Sequence, residues 1–561
     1  MSGRQRASPP QLALVNATVI TMCDDGPPMG GVAVGADGRI SAVGRADEIR
    51  ALAGPGTRVV DLEGRTLIPG FFDCHMHLLW LGSNLSNVDL ASPPVTEKAD
   101  IIRLLRERRA RSFDAAYIQG NFYDQNKLPG GLHLTREDLD LVALDIPVRI
   151  EHTSGHAAVV NSRGLELLGI TRDSDNPAGG EIVRDARGEP TGVLLEAASW
   201  DGLEHIVPDL TPSQAADALG HANRYLVERG ITSATDANTE PGEIDWFAGA
   251  AVSEKLRVRT NCMVAWASVL RQAGASETPT PDALQPARVG LNGHQLHVGQ
   301  AKLFADGAIT TRTCRLRKPF ENEPGNFGIA MHGDEEMRDM IGRAHRAGWQ
   351  VATHAIGDSA VDLVLGAYAE AQRGHPRNRP DHRIEHCMLL DTELIARLRR
   401  QRVWSIGQPE FLARLGDAYF AALGEERTGR LSPYATLDAN NVAQAFSSDC
   451  PVVPGAPLDG ILAAITRRTA SGRTVGAGEC VSAETALYAY TAAPAYASRV
   501  ERDRGTIEAG KWADFALLSG DPLSTPADEW EHLRVEATFI AGECVFGPYL
   551  EDNAMRTVGL A

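Results

Sequence analysis

The stretch FFDCHMHLL, residues 71–79, places two histidines one residue apart behind an apolar run. This run begins upstream at TLIPG, so residues 66–75 are predicted to form one strand that ends at the histidines. On a strand, residues i and i+2 point to the same face, so His75 and His77 could bind one metal ion. An H-x-H pair alone is a weak signal, because most such pairs are ordinary surface or core histidines.

The middle of the chain alternates short apolar runs with helical segments, which predicts βα units and a parallel sheet. Eight such strands are predicted, the number that closes a TIM barrel. They span residues 66–75, 231–237, 258–266, 297–307, 350–355, 382–387, 403–407 and 442–448. The fold class is therefore expected to be α/β, with the barrel domain over residues 66–497.

The two chain ends follow a different pattern from the middle. Residues 1–65 and 498–561 contain apolar or alternating runs separated by glycine-containing turns, which is typical of β structure. We expect these ends to form one β-sandwich together; the alternative is two unrelated β-caps. Residues 81–210 carry a mixed pattern and are predicted to be an α/β insertion after the first barrel strand that covers the barrel mouth.

The composition argues against several classes of partner. The formal net charge of −18 would repel phosphates, so neither a nucleic acid nor an anionic membrane surface is expected as a partner. The chain contains no apolar run of about 18 residues, so no transmembrane helix is predicted. Eight scattered cysteines without a C-x-x-C motif predict free thiols in a reducing compartment, and hence a cytoplasmic location.

Ionisable residues stand at the C-terminal ends of the predicted barrel strands, where TIM-barrel active sites are built. They are His75, His77, Lys302, His354, His386 and Asp449. Imidazoles suit a first-row metal ion, and Asp449 could contact that ion and accept a proton from its water. Each residue alone also has an ordinary explanation, such as a strand-end hydrogen bond for His354 or a helix cap for Asp449.

Lys302 is the unusual member of this group, because an ammonium ion would repel a metal ion. Either the lysine lies to one side, or it is modified. Reaction with CO₂ would give a carbamate, an anion whose two oxygens could bridge two metal ions.

The motifs PGFFDCHMH, KLFADG, THAIGD, RIEHC and FSSDCPV, in this order, resemble the amidohydrolase superfamily of metal-dependent hydrolases. KLFADG and THAIGD closely resemble the amidohydrolase 3 family, which includes N-substituted formamide deformylases. The segments GHAAVVNSRGL and GTIEAGKWADFALLSGDP are also similar to that family. The resemblance covers roughly residues 12–547, and the continuation DGAITTRTC departs from the more usual DGS type.

This resemblance implies a distorted TIM (β/α)8 barrel with a β-sandwich made from both termini. It implies one or two divalent metal ions, with Zn²⁺ expected, and a carbamate on Lys302. It also implies Asp449 as the catalytic acid/base. The metal site would consist of His75, His77, Lys302, His354, His386 and Asp449.

The expected function is hydrolysis of a C–N amide bond in a small molecule, an N-substituted formamide being the specific candidate, by metal-activated hydroxide. The alternatives are a deaminase or cyclic-amide hydrolase on the same scaffold, and a catalytically silent ligand-binding barrel. His156 and Arg312 are candidate substrate contacts; a buried histidine bonded to backbone and a surface ion pair are the respective alternatives. The sequence leaves the oligomeric state open, with a homodimer, the commonest closed assembly, as one candidate.

Overall fold

The computed structural model describes residues 8–23, 29–112, 114–274, 278–285, 295–379 and 381–549. The predicted terminal domains extend into residues 1–7 and 550–561, which lie outside the described residues. The strands are β1 (Leu12–Val19), β2 (Met29–Val34), β3 (Ile40–Gly44), β4 (Arg58–Asp61), β5 (Thr66–Pro69), β6 (Phe71–Met76), β7 (Val88–Asp89), β8 (Ile118–Tyr123), β9 (Val148–His152), β10 (Ala157–Val160), β11 (Gly180–Arg184), β12 (Pro190–Glu196), β13 (Ile231–Thr239), β14 (Arg259–Ala265), β15 (Leu296–Phe304), β16 (Gln350–Ala355), β17 (Arg383–His386), β18 (Trp404–Gly407), β19 (Gln444–Phe446), β20 (Phe515–Leu518), β21 (Val535–Ile540) and β22 (Glu543–Phe546).

The helices alternate with the strands through most of the chain. They are α1 (Ala46–Ala51), α2 (Leu78–Asn84), α3 (Lys98–Arg111), α4 (Arg136–Asp140), α5 (Ser162–Leu167), α6 (Ala197–Trp200), α7 (Pro212–Val227), α8 (Ile244–Val252), α9 (Trp266–Ala273), α10 (Asp334–Arg346), α11 (Asp358–Gly374), α12 (Thr392–Gln401), α13 (Pro409–Thr428), α14 (Tyr434–Ala439), α15 (Pro457–Thr466), α16 (Ala483–Ala489) and α17 (Ala492–Ala497). Within the described ranges, no helix combines the length and the apolar character needed to cross a membrane.

Eight parallel strands form the barrel, and each of the eight predicted strand ranges contains or overlaps one of them. Their order in the sheet is β6, β13, β14, β15, β16, β17, β18 and β19, and every hydrogen-bonded pair is parallel. β19 and β6 approach each other at the remaining gap. There the Asp449 N–H donates to the His75 carbonyl oxygen (2.8 Å) and the His77 N–H to that of Cys450 (2.7 Å). The barrel is therefore nearly closed, and its C-terminal mouth gathers the predicted site.

The first predicted barrel strand, residues 66–75, is divided into two strands. β5 pairs with β20 and β1 in the sheet of the chain ends, whereas β6 belongs to the barrel. Gly70 joins them in a place with no room for a side chain, since a Cβ there would lie 2.1 Å from Thr232 Oγ1. One apolar run therefore supplies two sheets, and the hydrophobic pattern alone does not reveal where the chain passes between them.

Both chain ends contribute to one mixed sheet, which excludes two unrelated β-caps. The strand order is β22, β21, β20, β5, β1, β2 and β3, with β4 paired to β1. The antiparallel pair β5–β20 joins the two ends. An apolar core drawn from both ends includes Leu14, Val32, Leu67, Phe515 and Phe539. The further arrangement of these strands as a two-layer sandwich stays a prediction.

The chain between β6 and β13 forms a separate sheet with its own core, whereas the bounds of the α/β insertion, residues 81–210, stay a prediction. The strand order is β11, β12, β10, β9, β8 and β7. Buried residues of its core include Leu90, Leu105 and Ile150. The turn between β9 and β10 touches the barrel mouth, where Thr153 Oγ1 donates to the Val452 carbonyl oxygen at 2.8 Å.

Candidate metal centre

Three buried side chains meet at the C-terminal mouth of the barrel. His75 is the penultimate residue of β6, His386 ends β17, and Asp449 follows β19. One potential ligand atom from each of the three lies within 4.8 Å of the other two. Their exposed fractions are only 1%, 3% and 7%. These residues therefore form a compact, buried set of nitrogen and oxygen donors of the kind that holds a divalent metal ion.

The other three predicted ligands lie around this triad. His77 Nε2 is 3.2 Å from Asp449 Oδ1, although His77 itself lies one residue beyond β6. Lys302 Nζ, on β15, is 3.4 Å from His75 Nε2. The ring of His354, at the end of β16, has its centroid 4.4 Å from that of His386. The structure thus brings all six predicted site residues together.

Hydrogen bonds orient two of the imidazole rings. His75 Nδ1 lies 2.5 Å from Glu385 Oε2, and His386 Nδ1 lies 2.8 Å from Gln408 Oε1. Each contact leaves Nε2 directed to the centre, the arrangement that commonly fixes metal-binding histidines. Neither Glu385 nor Gln408 was predicted. Glu385 stands next to His386 in the motif RIEHC, and this adjacency was the available signal.

His354 is held through its other ring nitrogen. Its Nε2 is 3.1 Å from the Gly307 carbonyl oxygen, which leaves Nδ1 as the nitrogen that could face the centre. Asp306 accepts hydrogen bonds from the N–H groups of Ile356 (3.0 Å) and Gly357 (2.9 Å). Asp306 therefore fixes the turn that follows His354.

The charge states of these residues fit a bound cation. Burial lowers the pKa of His386 to about 3 and holds the pKa of His354 well below its usual range, so both rings are neutral, as ligands must be. Burial opposes ionisation of Asp449, but the adjacent imidazoles of His75 and His77 hold its pKa well below its usual range. Asp449 Oδ1 makes no hydrogen bond of good geometry within the described residues, although both imidazole nitrogens lie within 3.3 Å. A divalent ion would satisfy this oxygen.

Lys302 is buried beside the triad, with 1% of its surface exposed. Its Nζ lies 4.6 Å from the centroid of the Phe304 ring. Burial lowers the pKa of Lys302 to about 8 despite the nearby carboxylates of Glu385 and Asp449. A larger fraction of this amine is therefore neutral near pH 7 than for an exposed lysine, which reduces the charge conflict with a metal ion.

A cavity of about 740 Å³ opens beside the centre. Barrel residues such as His77 and Phe304 line one side, and Trp200 and His156 of the insertion line the other. This volume lies within the usual range for small-molecule sites. The insertion therefore supplies part of the wall of this cavity.

His156, a predicted substrate contact, lines this cavity. Its Nδ1 lies 2.6 Å from Oε2 of Glu196, a residue that was not predicted. Burial would lower the pKa of His156, but the Glu196 carboxylate outweighs it and the pKa is raised. The alternative was a buried histidine bonded to backbone. The ring is instead bonded to a carboxylate.

Arg312, the other predicted substrate contact, does not line the cavity. Its guanidinium donates to Glu323 Oε1 at 2.5 Å and to the carbonyl oxygens of Glu321 (3.3 Å) and Ala421 (3.4 Å). These acceptors already occupy the guanidinium group. They match the alternative of a surface ion pair and correct the assignment of Arg312 to the substrate site.

Comparison with known proteins gives the family. The model of the amidohydrolase family matches residues 58–546. The chain belongs to the amidohydrolase family. The resemblance drawn from the motifs is confirmed, and with it the enzyme class, a metal-dependent hydrolase that acts on carbon–nitrogen bonds.

This amidohydrolase resembles several proteins over nearly its whole length. It is 31% identical to the putative amidohydrolase YtcJ of Bacillus subtilis, over 94% of this chain and 98% of that protein. It is 29% identical to the N-substituted formamide deformylase of Arthrobacter pascens, over 90% and 93%. The crystal structure of a metal-dependent hydrolase from Pyrococcus furiosus matches 91% of this chain and 100% of its own, with 28% identity and a TM-score of 0.71.

Proposed function

We propose that this amidohydrolase cleaves the C–N bond of a small amide, with N-substituted formamides as the substrate class, and releases formate and an amine. The observation that carries the proposal is the position of Asp449. Its buried Oδ1 lies 3.3 Å from His75 Nε2 and 3.2 Å from His77 Nε2. The similarity to an N-substituted formamide deformylase supports this choice of substrate class.

One or two divalent ions, with zinc expected, would supply a Lewis acid that polarises the amide carbonyl and acidifies water. The ligands would be His75, His77, Lys302 as its carbamate, His354, His386 and Asp449. Asp449 would accept the proton of the attacking water and deliver it to the departing nitrogen, which is general acid–base catalysis by one carboxylate. The insertion would limit the access of bulk water, and His156 would contact the substrate.

The carbamate on Lys302 forms part of this proposal. The neutral Nζ would attack CO₂, form an N–C bond and release one proton, so that an anion replaces an ammonium ion beside His75. The burial of Lys302 and its lowered pKa of about 8 support this reaction, because only the neutral amine is nucleophilic. A carbamate carbon signal in NMR spectra after incubation with ¹³C-bicarbonate, absent in Lys302→Gln, is the expected result. Spectra of the two proteins without a difference would contradict it.

Product analysis tests the proposed reaction directly. Metal-supplied enzyme is incubated with a panel of N-substituted formamides, cyclic amides and aminated heterocycles, with Asp449→Asn as the control. Equal amounts of formate and amine would support the proposal. Release of ammonia would instead support a deaminase, and ring opening without a released fragment would support a cyclic-amide hydrolase. An enzyme that turns over no formamide would overturn the proposed substrate class.

A further inference from the structure

A carboxylate and an imidazole pair within the cavity wall that the insertion provides. Glu196 is fully buried, and its Oε2 contacts Nδ1 of His156 at 2.6 Å. This contact occupies one ring nitrogen, and Nε2 makes no hydrogen bond within the part of the chain that the structure describes. The His156 side chain is 10% exposed and lines the cavity, with its ring centroid 5.1 Å from that of His354. The unengaged Nε2 is therefore available to a molecule in the cavity.

The same two residues are also joined through the backbone. The N–H of Glu196 donates to the carbonyl oxygen of His156 at 2.9 Å. Trp200 packs against the ring of His156 with centroids 5.7 Å apart, and its Nε1 donates to the Gly155 carbonyl oxygen at 2.9 Å. Backbone, carboxylate and indole together restrict the His156 ring to one orientation.

Glu196 is energetically unfavourable for the folded state at this position. It has a φ of 51°, a conformation that non-glycine residues rarely adopt and that is often found at functional sites. Its Oε1 is buried without a hydrogen-bond partner among the described residues. A buried carboxylate with an unsatisfied oxygen is unfavourable, so an apolar residue of this size would serve packing better. Both features indicate a role other than filling space.

The carboxylate of Glu196 also lies against the backbone that orients His354. A Cβ added to Gly307 would fall 2.1 Å from Glu196 Oε1 and 2.2 Å from Thr313 Oγ1. The carbonyl oxygen of this same Gly307 faces His354 Nε2 at 3.1 Å. Glu196, which ends β12 of the insertion, therefore lies against the barrel wall of the candidate metal centre.

We propose that Glu196 is a positioning residue, which holds the His156 ring so that Nε2 meets the amide of the bound substrate. The inference rests on the proposed function and adds to it that the insertion contributes a substrate-orienting pair. Asp449 and the metal ligands come from the barrel, whereas this pair comes from the inserted sheet and its turn. Substrate alignment would thus depend on how the insertion docks.

A double-mutant cycle separates positioning from a general structural role. Glu196→Leu removes the acceptor for His156 Nδ1, and Glu196→Gln retains one. His156→Gln removes the ring but keeps an N–H that can donate to Glu196, which avoids leaving the carboxylate unpaired. Glu181→Leu, an exposed position on β11 in the same sheet, is the matched control. Each variant is assayed for kcat and KM and for metal content. Substrate affinity is measured in an Asp449→Asn background, where turnover does not interfere.

We expect Glu196→Leu and His156→Gln each to reduce kcat/KM by about 10–100-fold, as for a lost hydrogen bond to a charged group. Glu196→Gln should recover most of the loss, and the double variant should be no worse than His156→Gln. Metal content should not change in any of the variants. Substrate affinity in the Asp449→Asn background should fall in parallel.

Three results would overturn the positioning role. They are multiplicative losses in the double variant, wild-type kcat/KM in Glu196→Leu, and loss of metal from Glu196→Leu with affinity for substrate unchanged. Failure of the proposed function has a different signature, because wild-type enzyme would then hydrolyse no formamide. If it hydrolyses another amide of the panel, the same cycle on that amide tests the pair. If the wild-type enzyme hydrolyses no amide at all, both the proposed activity and the positioning role of Glu196 are refuted.

Discussion

Oε2 of Glu385 lies 2.5 Å from Nδ1 of His75, and the Arg383 guanidinium contacts the same carboxylate at 2.5 and 2.9 Å. Burial would raise the pKa of Glu385, but Arg383 and His75 hold it well below its usual range, so the carboxylate is ionised. The contact leaves His75 Nε2 directed to Lys302 and Asp449. The orientation of the first ligand in the chain thus depends on a residue of β17, a strand that does not pair with β6.

Glu385→Gln should weaken metal binding by about 10–100-fold, because the amide holds the His75 ring less firmly and no longer increases its basicity. Titration of metal-free protein with zinc against a competing chelator measures this affinity. Glu393→Gln, an exposed position on α12, is the control. Equal zinc affinity in Glu385→Gln and wild type would contradict the role of Glu385.

Asp449→Asn should retain metal and lose turnover. The asparagine carbonyl can still face the metal, but its amide cannot take the proton of the attacking water. We expect kcat to fall by about 10²–10⁴-fold, the usual contribution of a general base. Elemental analysis and product formation are measured on the same sample. Activity close to wild type would remove Asp449 from the mechanism.

Gly307→Ala should disturb the wall between the insertion and the barrel. The new methyl group would overlap Glu196 Oε1 and Thr313 Oγ1, so one of them must move. We expect kcat/KM to fall at least about 10-fold and the free energy of unfolding to fall by about 1–3 kcal/mol, as for other overpacked sites. Gly325→Ala is the matched control, since a Cβ there meets no atom within 4 Å. Unchanged kcat/KM and unchanged free energy of unfolding in Gly307→Ala would show that there is room for a methyl group beside Glu196 and Thr313.

The free energy of unfolding should decrease below neutral pH because of a buried pair of histidines, His345 and His382, which are not among the proposed metal ligands. His345 Nδ1 lies 2.8 Å from His382 Nε2, while the Val351 N–H donates to His382 Nδ1 and His345 Nε2 faces the His375 carbonyl oxygen. This chain of contacts needs both rings neutral, and burial lowers the pKa of each.

The unfolded chain binds these protons near pH 6.5 and the native chain does not, so the stabilisation is complete above pH 6.5 and declines as the pH falls. The free energy of unfolding should therefore decrease between pH 7 and pH 5. His382→Gln should show a shallower decrease, by up to about 1.4 kcal/mol per pH unit. Urea denaturation across this range measures both slopes. Parallel slopes for the two proteins would exclude a contribution from His382.

The barrel could be predicted because alternating apolar runs and helices fix the strand positions without knowledge of the tertiary contacts. The passage from β5 to β6 could not be predicted, because the apolar run LIPGFF, residues 67–72, crosses the junction without a break and only the strand partners of each half distinguish them. The close approach at Gly70 depends on Thr232, which is distant in sequence.

The ligand candidates could be predicted from their places at strand ends, but the residues that orient them could not. Glu385 and His386 are neighbours, and simple strand alternation would direct them to opposite faces. The backbone of His386 has a φ of 71°, which breaks this alternation and lets both residues reach the centre. Glu196 and His156 are 40 positions apart in the sequence, so no local pattern predicts their contact.

The proposed reaction requires that the residues at the barrel mouth hold a metal ion. The most direct measurement is the metal content per chain, by elemental analysis, of protein purified without added metal. We expect about one to two equivalents of zinc or another first-row metal, and a nearly complete loss in a folded His75→Asn/His386→Asn variant. A metal content of wild-type protein that stays near zero after metal and bicarbonate are supplied would contradict this metal site, and so would a double variant that retains the full content.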